Sequence, residues 1–313
     1  MTSRRRRDSG RALDGVLVLD KPQGFSSNDA VQKAKGLFRA RKVGHTGSLD
    51  PLATGVLPLC FGEATKFSQF LLVSNKTYRA QLTLGVRTDS GDADGRVLET
   101  RPVETLSIET VERGLDAFRG EIEQVPSMFS AVKHHGQPLY KLARQGIEVE
   151  RKSRRVTIFS NEIVSFEGDV LTLLLRCSKG TYVRMIAQEL GERLGCGAHV
   201  SALRRLGAGP YDESDLVRFD ELEKARSDGG LEALDRFLRP VSSTVRHWPA
   251  VVLNDATAYY IRQGQPVIVP HAPTEGWVQI REASESEREG EFLGVGEILD
   301  DGRVAPRRLV LAH

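Results

Sequence analysis

The sequence has 313 residues, enough for one large domain and a smaller one, each with its own apolar core. It is 40% hydrophobic and 27% charged, as ordinary globular proteins are. No apolar run approaches the roughly 20 residues of a membrane span. The net charge of +2 excludes whole-molecule attraction to nucleic acid, so such a partner must be held by local basic patches. Cys60, Cys177 and Cys196 are widely spread and form no CxxC, which indicates neither a disulfide framework nor a zinc site. The Arg4–Arg7 run is followed by polar residues and lacks the apolar stretch of a secretory signal. The expectation is a reduced cytoplasmic protein that is monomeric, needs no obligate protein partner and does not touch membranes.

Residues 1–14 read as a disordered basic arm, and Gly15–Asp20 as a short apolar strand ending at Lys21-Pro22. Ser26 with Asp29 marks a helix start, and Val31, Ala34, Leu37 and Phe38 then recur at helical spacing. Residues 44–55, GHTGSLDPLATG, fit neither helix nor strand. Their glycines permit unusual backbone angles and close approach of another molecule, while Pro51 biases Asp50 toward extended geometry. Asp50 can be a turn residue, but a lone carboxylate aimed by its backbone among glycines suggests a nucleophile.

Tyr78 to Arg87 alternates as a half-buried strand with Tyr78 on its apolar face, where periodicity alone makes it a core aromatic. Residues 88–104 are turn-rich, and Ile108–Phe118 reads as a helix ended by Gly120. From Val125 the character changes. Residues 131–155 carry seven Lys or Arg against two Glu, interleaved with His134, His135 and Tyr140. Lys141, Arg144, Arg151, Lys152 and Arg154 belong to this segment, whose mixture of cations and rings suits an RNA backbone. A strand pair follows, Glu162–Phe166 and Val170–Cys177. If residues 179–184 continue extended, Tyr182 and Arg184 point to one side. A helix then ends at Gly195, and the Arg204-Arg205 pair in His199–Leu206 is expected to face solvent or phosphate. After residue 240 the chain restarts as a small β-rich module, with strands near 251–253, 278–280, 292–298 and Val310 and a helix around 256–262. Its 275–291 loop carries six glutamates against two arginines and would repel phosphate.

The 44–55 segment closely resembles the catalytic loop of the TruB family, the bacterial pseudouridine synthases that act on uridine 55 in the T-loop of tRNA. The resemblance extends to GVLVLDKP at 15–22, GEATK at 62–66, RTD at 87–89, CSKGTYVR at 177–184, LRRL at 203–206 and GRVAPRR at 302–308, so it covers most of the chain. It implies an α+β fold: a mixed, mainly antiparallel central sheet with flanking helices over 15–245, then a PUA-like RNA-binding domain over 246–313. Residues 125–155 fill the place of an insertion that clamps the T-arm.

The implied reaction breaks the uridine N1–C1′ bond, rotates the base and joins C5 to C1′, with no electron or group donated, so no cofactor is expected. Asp50 matches the family's nucleophile, and attack at C1′ and elimination to a glycal both stay open. A carboxylate in a base-sized pocket takes up a proton unless a cation sits beside it, and Arg184 is the candidate. Tyr78 matches the tyrosine that stacks on the target base, its hydroxyl offering a route for the C5 proton. Tyr182 and Leu203 form further walls. His45 matches the histidine that fills space left by the flipped nucleotide. Lys21 and Lys66 match basic positions near the site, where holding the catalytic loop is an equal alternative. Two rival readings are an RNA-folding module without catalysis and a synthase for another RNA site.

Overall fold

The computed structural model describes residues 10–311 except 105, 131, 144 and 285–289. The Arg4–Arg7 run, Arg144 and four charges of the acidic loop (Glu285, Glu287, Arg288 and Glu289) therefore lie outside the described residues.

The expected mixed sheet is present. Its strands lie in the order Gly15–Lys21, Thr54–Phe61, Ala198–Ala208, Lys76–Leu84, Val170–Cys177, Arg154–Glu167 and Gly120–Gln124. Each neighbouring pair is antiparallel except Ala198–Ala208 against Thr54–Phe61, which is parallel. The strand Lys76–Leu84 buries Tyr78, Ala80, Leu82 and Leu84 and exposes Arg79 and Gln81, the alternation seen in the sequence. Tyr78, Ala80 and Leu82 join one large cluster that also takes in Leu49, Leu52 and Ala53 of the 44–55 loop. A second sheet orders Ala250–Leu253, Trp277–Glu282, Glu291–Ile298 and Val304–Leu309 around a separate apolar cluster. Phe70, Trp248 and Trp277 stack edge to face at 4.9 and 5.2 Å between the two sheets.

Several local expectations are corrected. The strand expected to run to Arg87 stops at Leu84, because Gly85 takes φ +86°. Val86–Thr88 then pairs with Val97–Thr100, so the turn-rich connection holds a hairpin. Residues 183–184 are not extended, since a helix starts at Val183 with Tyr182 as its N-cap. The strand expected from Glu162 begins at Arg154 and absorbs the end of the basic segment. The last strand ends at Leu309, before Val310. The helices Ser68–Val73 and Phe219–Gly229 are additions to the expected elements; the first is short and the second buries only Phe219, Leu222 and Ala225, a weak periodic signal. Arg204 and Arg205 do not share a solvent-facing side. Adjacent strand residues point to opposite faces, so Arg204 pairs with Asp20 at 3.0 Å while Arg205 turns inward and is 1% exposed.

Gly55 shows how tightly the central strands meet. Its φ is +96°, and a Cβ there would lie 2.2 Å from the carbonyl oxygen of Arg205. Gly24 shares a positive φ of +83° but faces open space. Gly55→Ala should therefore destabilise far more than Gly24→Ala, by about 1–3 kcal/mol or more from overpacking added to the same backbone strain. Thermal unfolding of the two variants checks this; equal losses would mean that the close strand approach is not what requires glycine.

Candidate active site

The loop carrying Asp50 is held along its length. Thr46 N–H donates to Pro58 O at 3.1 Å, and Arg205 Nη2 donates to Gly47 O at 3.1 Å. Ser27 Oγ accepts from Leu49 N–H at 2.8 Å, Gly24 N–H donates to Pro51 O at 2.8 Å, and Ala53 N–H closes a turn onto Asp50 O at 3.0 Å. With Leu49 and Leu52 buried in the core beneath, Asp50 stands on a fixed turn.

Lys21 is one of these anchors. It is 0% exposed, and its ammonium donates to Phe25 O at 2.5 Å, Pro22 O at 3.0 Å and Pro51 O at 3.4 Å. Burial pulls its pKa down to about 8, with the Asp50 charge opposing. These contacts fit the loop-holding alternative. Lys66 sits away from the cleft, 2.5 Å from Glu63 and donating to Leu309 O at 3.4 Å. It thus ties the first sheet to the last strand of the second.

Asp50 meets Arg184 at 3.1 Å, Oδ2 to Nε. The guanidinium does not clasp Asp50 with both prongs, as a fork facing a carboxylate would. Its remaining nitrogens reach Asp92 Oδ2 at 3.3 Å, Ser90 O at 3.0 Å and Phe129 O at 3.0 Å. Only 4% of the Arg184 side chain is exposed, against 39% for Asp50, so the cation is buried and the carboxylate faces the cleft. Burial raises the Asp50 pKa above the ordinary carboxylate value; Arg184 opposes the rise and the charge of Asp92 adds to it. The sequence does not single out Asp92, which sits in a Gly- and Asp-rich turn like many others.

Asp50 and Arg184 line both of two adjoining cavities. One, of about 550 Å³, is walled by Tyr78, Tyr182, Leu203, Lys76 and Arg205. The other, of about 780 Å³, is lined by His45, Tyr140, Phe129, Asp92 and Arg96. Tyr78 and Leu203 lie on adjacent strands, each 9% exposed. Gln124 clamps the Tyr182 backbone, accepting from its N–H at 3.0 Å and donating to its carbonyl at 3.4 Å. Burial, followed by the nearby Arg205 charge, lowers the His45 pKa, favouring a neutral ring. The structure thus gathers Asp50, Arg184, Tyr78, Tyr182, Leu203 and His45 about one cleft.

The basic segment borders this cleft. Arg154 lines the smaller cavity, and Lys141, Lys152 and Arg154 are exposed. Arg151 is tied down, donating to Pro126 O at 3.1 Å and Glu148 at 3.2 Å. A further cavity of about 350 Å³ lies between Pro126, Lys133, His134, Arg151, Lys152 and Arg154.

Three family models match successive stretches. The N-terminal domain of the TruB family pseudouridylate synthases matches residues 35–183, the tRNA pseudouridylate synthase B C-terminal domain 184–246, and the pseudouridine synthase II TruB C-terminal model 249–310. A tRNA pseudouridine synthase B of Coxiella burnetii is 53% identical over 300 residues, covering 96% of both chains. One from Pseudomonas aeruginosa is also 53% identical over 300 residues, covering 96% of this chain and 97% of its own. Among solved structures, a chain in the crystal structure of a Cbf5-Nop10-Gar1 complex matches with a TM-score of 0.73 and 26% identity, covering 95% of this chain and 85% of that one. The chain belongs to the TruB family of pseudouridylate synthases.

Proposed function

We propose that this enzyme, a tRNA pseudouridine synthase by family and relatives, isomerises uridine 55 of the tRNA T-loop with Asp50 as nucleophile. The observation that carries the site assignment is the Asp50–Arg184 pair at 3.1 Å, a carboxylate open to the cleft against a buried cation. The arginine favours the ionised carboxylate that attack at C1′ or elimination to a glycal both require. The rearrangement is internal to the nucleotide, so it calls for no electron or group donor.

The target base occupies the cavity walled by Tyr78, Tyr182 and Leu203, with Tyr78 as its stacking face. Extracting a base costs a few kcal/mol, while each base–aromatic stack returns about 1–3 kcal/mol, so one or two rings offset most of the cost. His45, in the adjoining cavity across Asp50, fills space that the extracted nucleotide leaves. Residues 15–245 form the catalytic domain, and 246–313 form a PUA-like domain that approaches RNA away from its acidic loop.

Incubating the protein with unmodified tRNA transcript and mapping pseudouridine tests this reading. A single new pseudouridine at position 55 is expected, absent with Asp50→Asn while tRNA affinity stays within a few-fold. Modification elsewhere, or substantial turnover by Asp50→Asn, would overturn the substrate or the nucleophile respectively.

The basic segment binds the RNA backbone. Replacing Lys141, Lys152 and Arg154 by Gln should weaken tRNA binding and flatten its log–log salt dependence by about 0.7–0.9 for each phosphate no longer neutralised. The rate at saturating tRNA should fall much less. Unchanged affinity and slope with a collapsed single-turnover rate would show that the segment orders the active site instead of clamping the T-arm.

A further inference from the structure

The two cavities that meet at Asp50 are lined by charges of opposite sign. Among the described residues, the cavity assigned to the target base is bordered by Lys76, Arg154, Arg155, Lys179, Arg184 and Arg205, against the single carboxylate of Asp50. The adjoining cavity adds Asp29, Asp89, Asp92 and Asp94 to Asp50, against Arg96 and Arg184. Uracil is neutral, so recognising it does not call for a wall of cations. Phosphates account for Arg154, Arg155 and Lys179, which are exposed, and Arg184 belongs to Asp50. Neither explanation reaches Lys76, 6% exposed, or Arg205, 1% exposed.

Both of these buried cations are held by backbone carbonyls. Lys76 Nζ donates to Leu71 O at 3.1 Å, Leu72 O at 2.9 Å and Ser74 O at 2.5 Å. Arg205 donates from Nε to Val56 O at 2.6 Å and from Nη2 to Gly47 O at 3.1 Å. Carbonyls satisfy N–H groups but bring no counter-charge, and the one anion lining this cavity is already engaged with Arg184. Burial pulls the Lys76 pKa down to about 8, and the Arg205 charge adds to the fall, so the ammonium persists at neutral pH against resistance. Fixed charge in a site shielded from water stabilises the opposite charge when a reaction develops it there.

Such a charge develops in this reaction. When the N1–C1′ bond breaks, its electron pair leaves with the base as a uracil anion, while C1′ bonds to Asp50 or C2′ gives up a proton to form a glycal. After the ring turns, C5 bonds to C1′, displacing Asp50 or with C2′ taking its proton back. The C5 proton is then released and N1 takes one up, so electrons and protons balance. We propose that Lys76 and Arg205 make this cavity a receptor for the detached uracil anion, easing N1–C1′ cleavage and retaining the base while it rotates. Coulomb attraction has no preferred ring orientation, so fixed charges hold a turning base where directional hydrogen bonds would break. The acidic cavity on the other side of Asp50 repels the same anion. This rests on the reading that the target base occupies the cavity of Tyr78, Tyr182 and Leu203.

The test varies the stability of the anion. The unaltered enzyme, Lys76→Gln and Arg205→Gln are compared on two tRNA transcripts, with uridine or 5-fluorouridine at position 55. Loss of the intact N-linked nucleoside is followed in single turnover at saturating RNA, with affinity measured alongside. Fluorine draws electrons from the ring, so the departing base depends less on the protein's charges. On uridine each variant should lose roughly 10²-fold in rate, the lower end of what one preorganised charge-stabilising group supplies, with affinity within a few-fold. On 5-fluorouridine the loss should be several-fold smaller. Equal losses on the two transcripts, full activity of either variant, or losses confined to affinity would overturn the proposal. Failure of the unaltered enzyme to modify position 55 would instead defeat the reading of the substrate. Should a variant not fold, the fluorine resonance of the second transcript bound to Asp50→Asn reports the field directly. Burial alone raises the pH at which the ring ionises, so a fall relative to free RNA is expected, and a rise or no change would overturn the receptor.

Discussion

The site depends on one buried cation shared four ways. Arg184 rises from the first turn of the helix Val183–Arg193, where the helix dipole disfavours positive charge, and it is almost wholly out of water. Asp50, Asp92, Ser90 O and Phe129 O together make that burial tolerable. The dependence runs both ways. Asp50 faces the cleft with the cation behind it opposing the effect of burial on its pKa, and the turn carrying Asp92 and the approach to the basic segment at Phe129 are pinned to the same guanidinium. Loosening any partner would leave buried donors unmatched and would move Asp50.

The rest of the fold supplies the rigidity this requires. Ala198–Ala208 lies between the strand leading out of the Asp50 loop and the strand carrying Tyr78. It contributes Leu203 and Arg205 to the cavity and sends Arg204 to Asp20 and Glu213 on the opposite face. The second sheet attaches through aromatic stacking about Trp248 and through Lys66 and Glu63, which engage Leu309 O and Leu311 N–H. A basic residue beside a signature loop can therefore serve the architecture, as Lys21 and Lys66 both do by their contacts.

Much of this was legible in the sequence because strong local rules carried it. The alternation around Tyr78 holds as far as Leu84 and the capping pair Ser26 and Asp29 holds throughout, while the glycine-rich Asp50 loop is irregular only over 46–53, its two ends being taken into the strands Val43–His45 and Thr54–Phe61. What was not legible depends on partners distant in the chain. Asp92 stands far ahead of Arg184 in the sequence, and nothing in its turn signals the pairing. Arg205 reads as a surface charge beside Arg204, and only the strand's position between two others turns one inward and the other out. The helix start at Val183 was hidden because Tyr182 provides no side-chain cap. Arg184 therefore reaches Asp50 from a helical turn and not from the extended strand that the sequence suggests.

Control of Asp50 by the shared arginine is tested most directly by the acid limb of the pH–rate profile under single-turnover conditions, compared between the unaltered enzyme and Asp92→Asn. Burial places the Asp50 pKa above the ordinary 3.8, and the reaction needs the carboxylate, so the rate should rise with pH through a midpoint above that value. A raised carboxyl pKa favours folding at acid pH, a stabilisation lost as pH rises through it, so the falling rate at low pH does not report unfolding of this site. Removing the Asp92 charge takes away a like charge and leaves more of Arg184 to Asp50, so the midpoint should move toward acid even where the rate itself is lower. A midpoint that stays put, or a rate indifferent to pH across that range, would contradict an active carboxylate governed by the shared arginine.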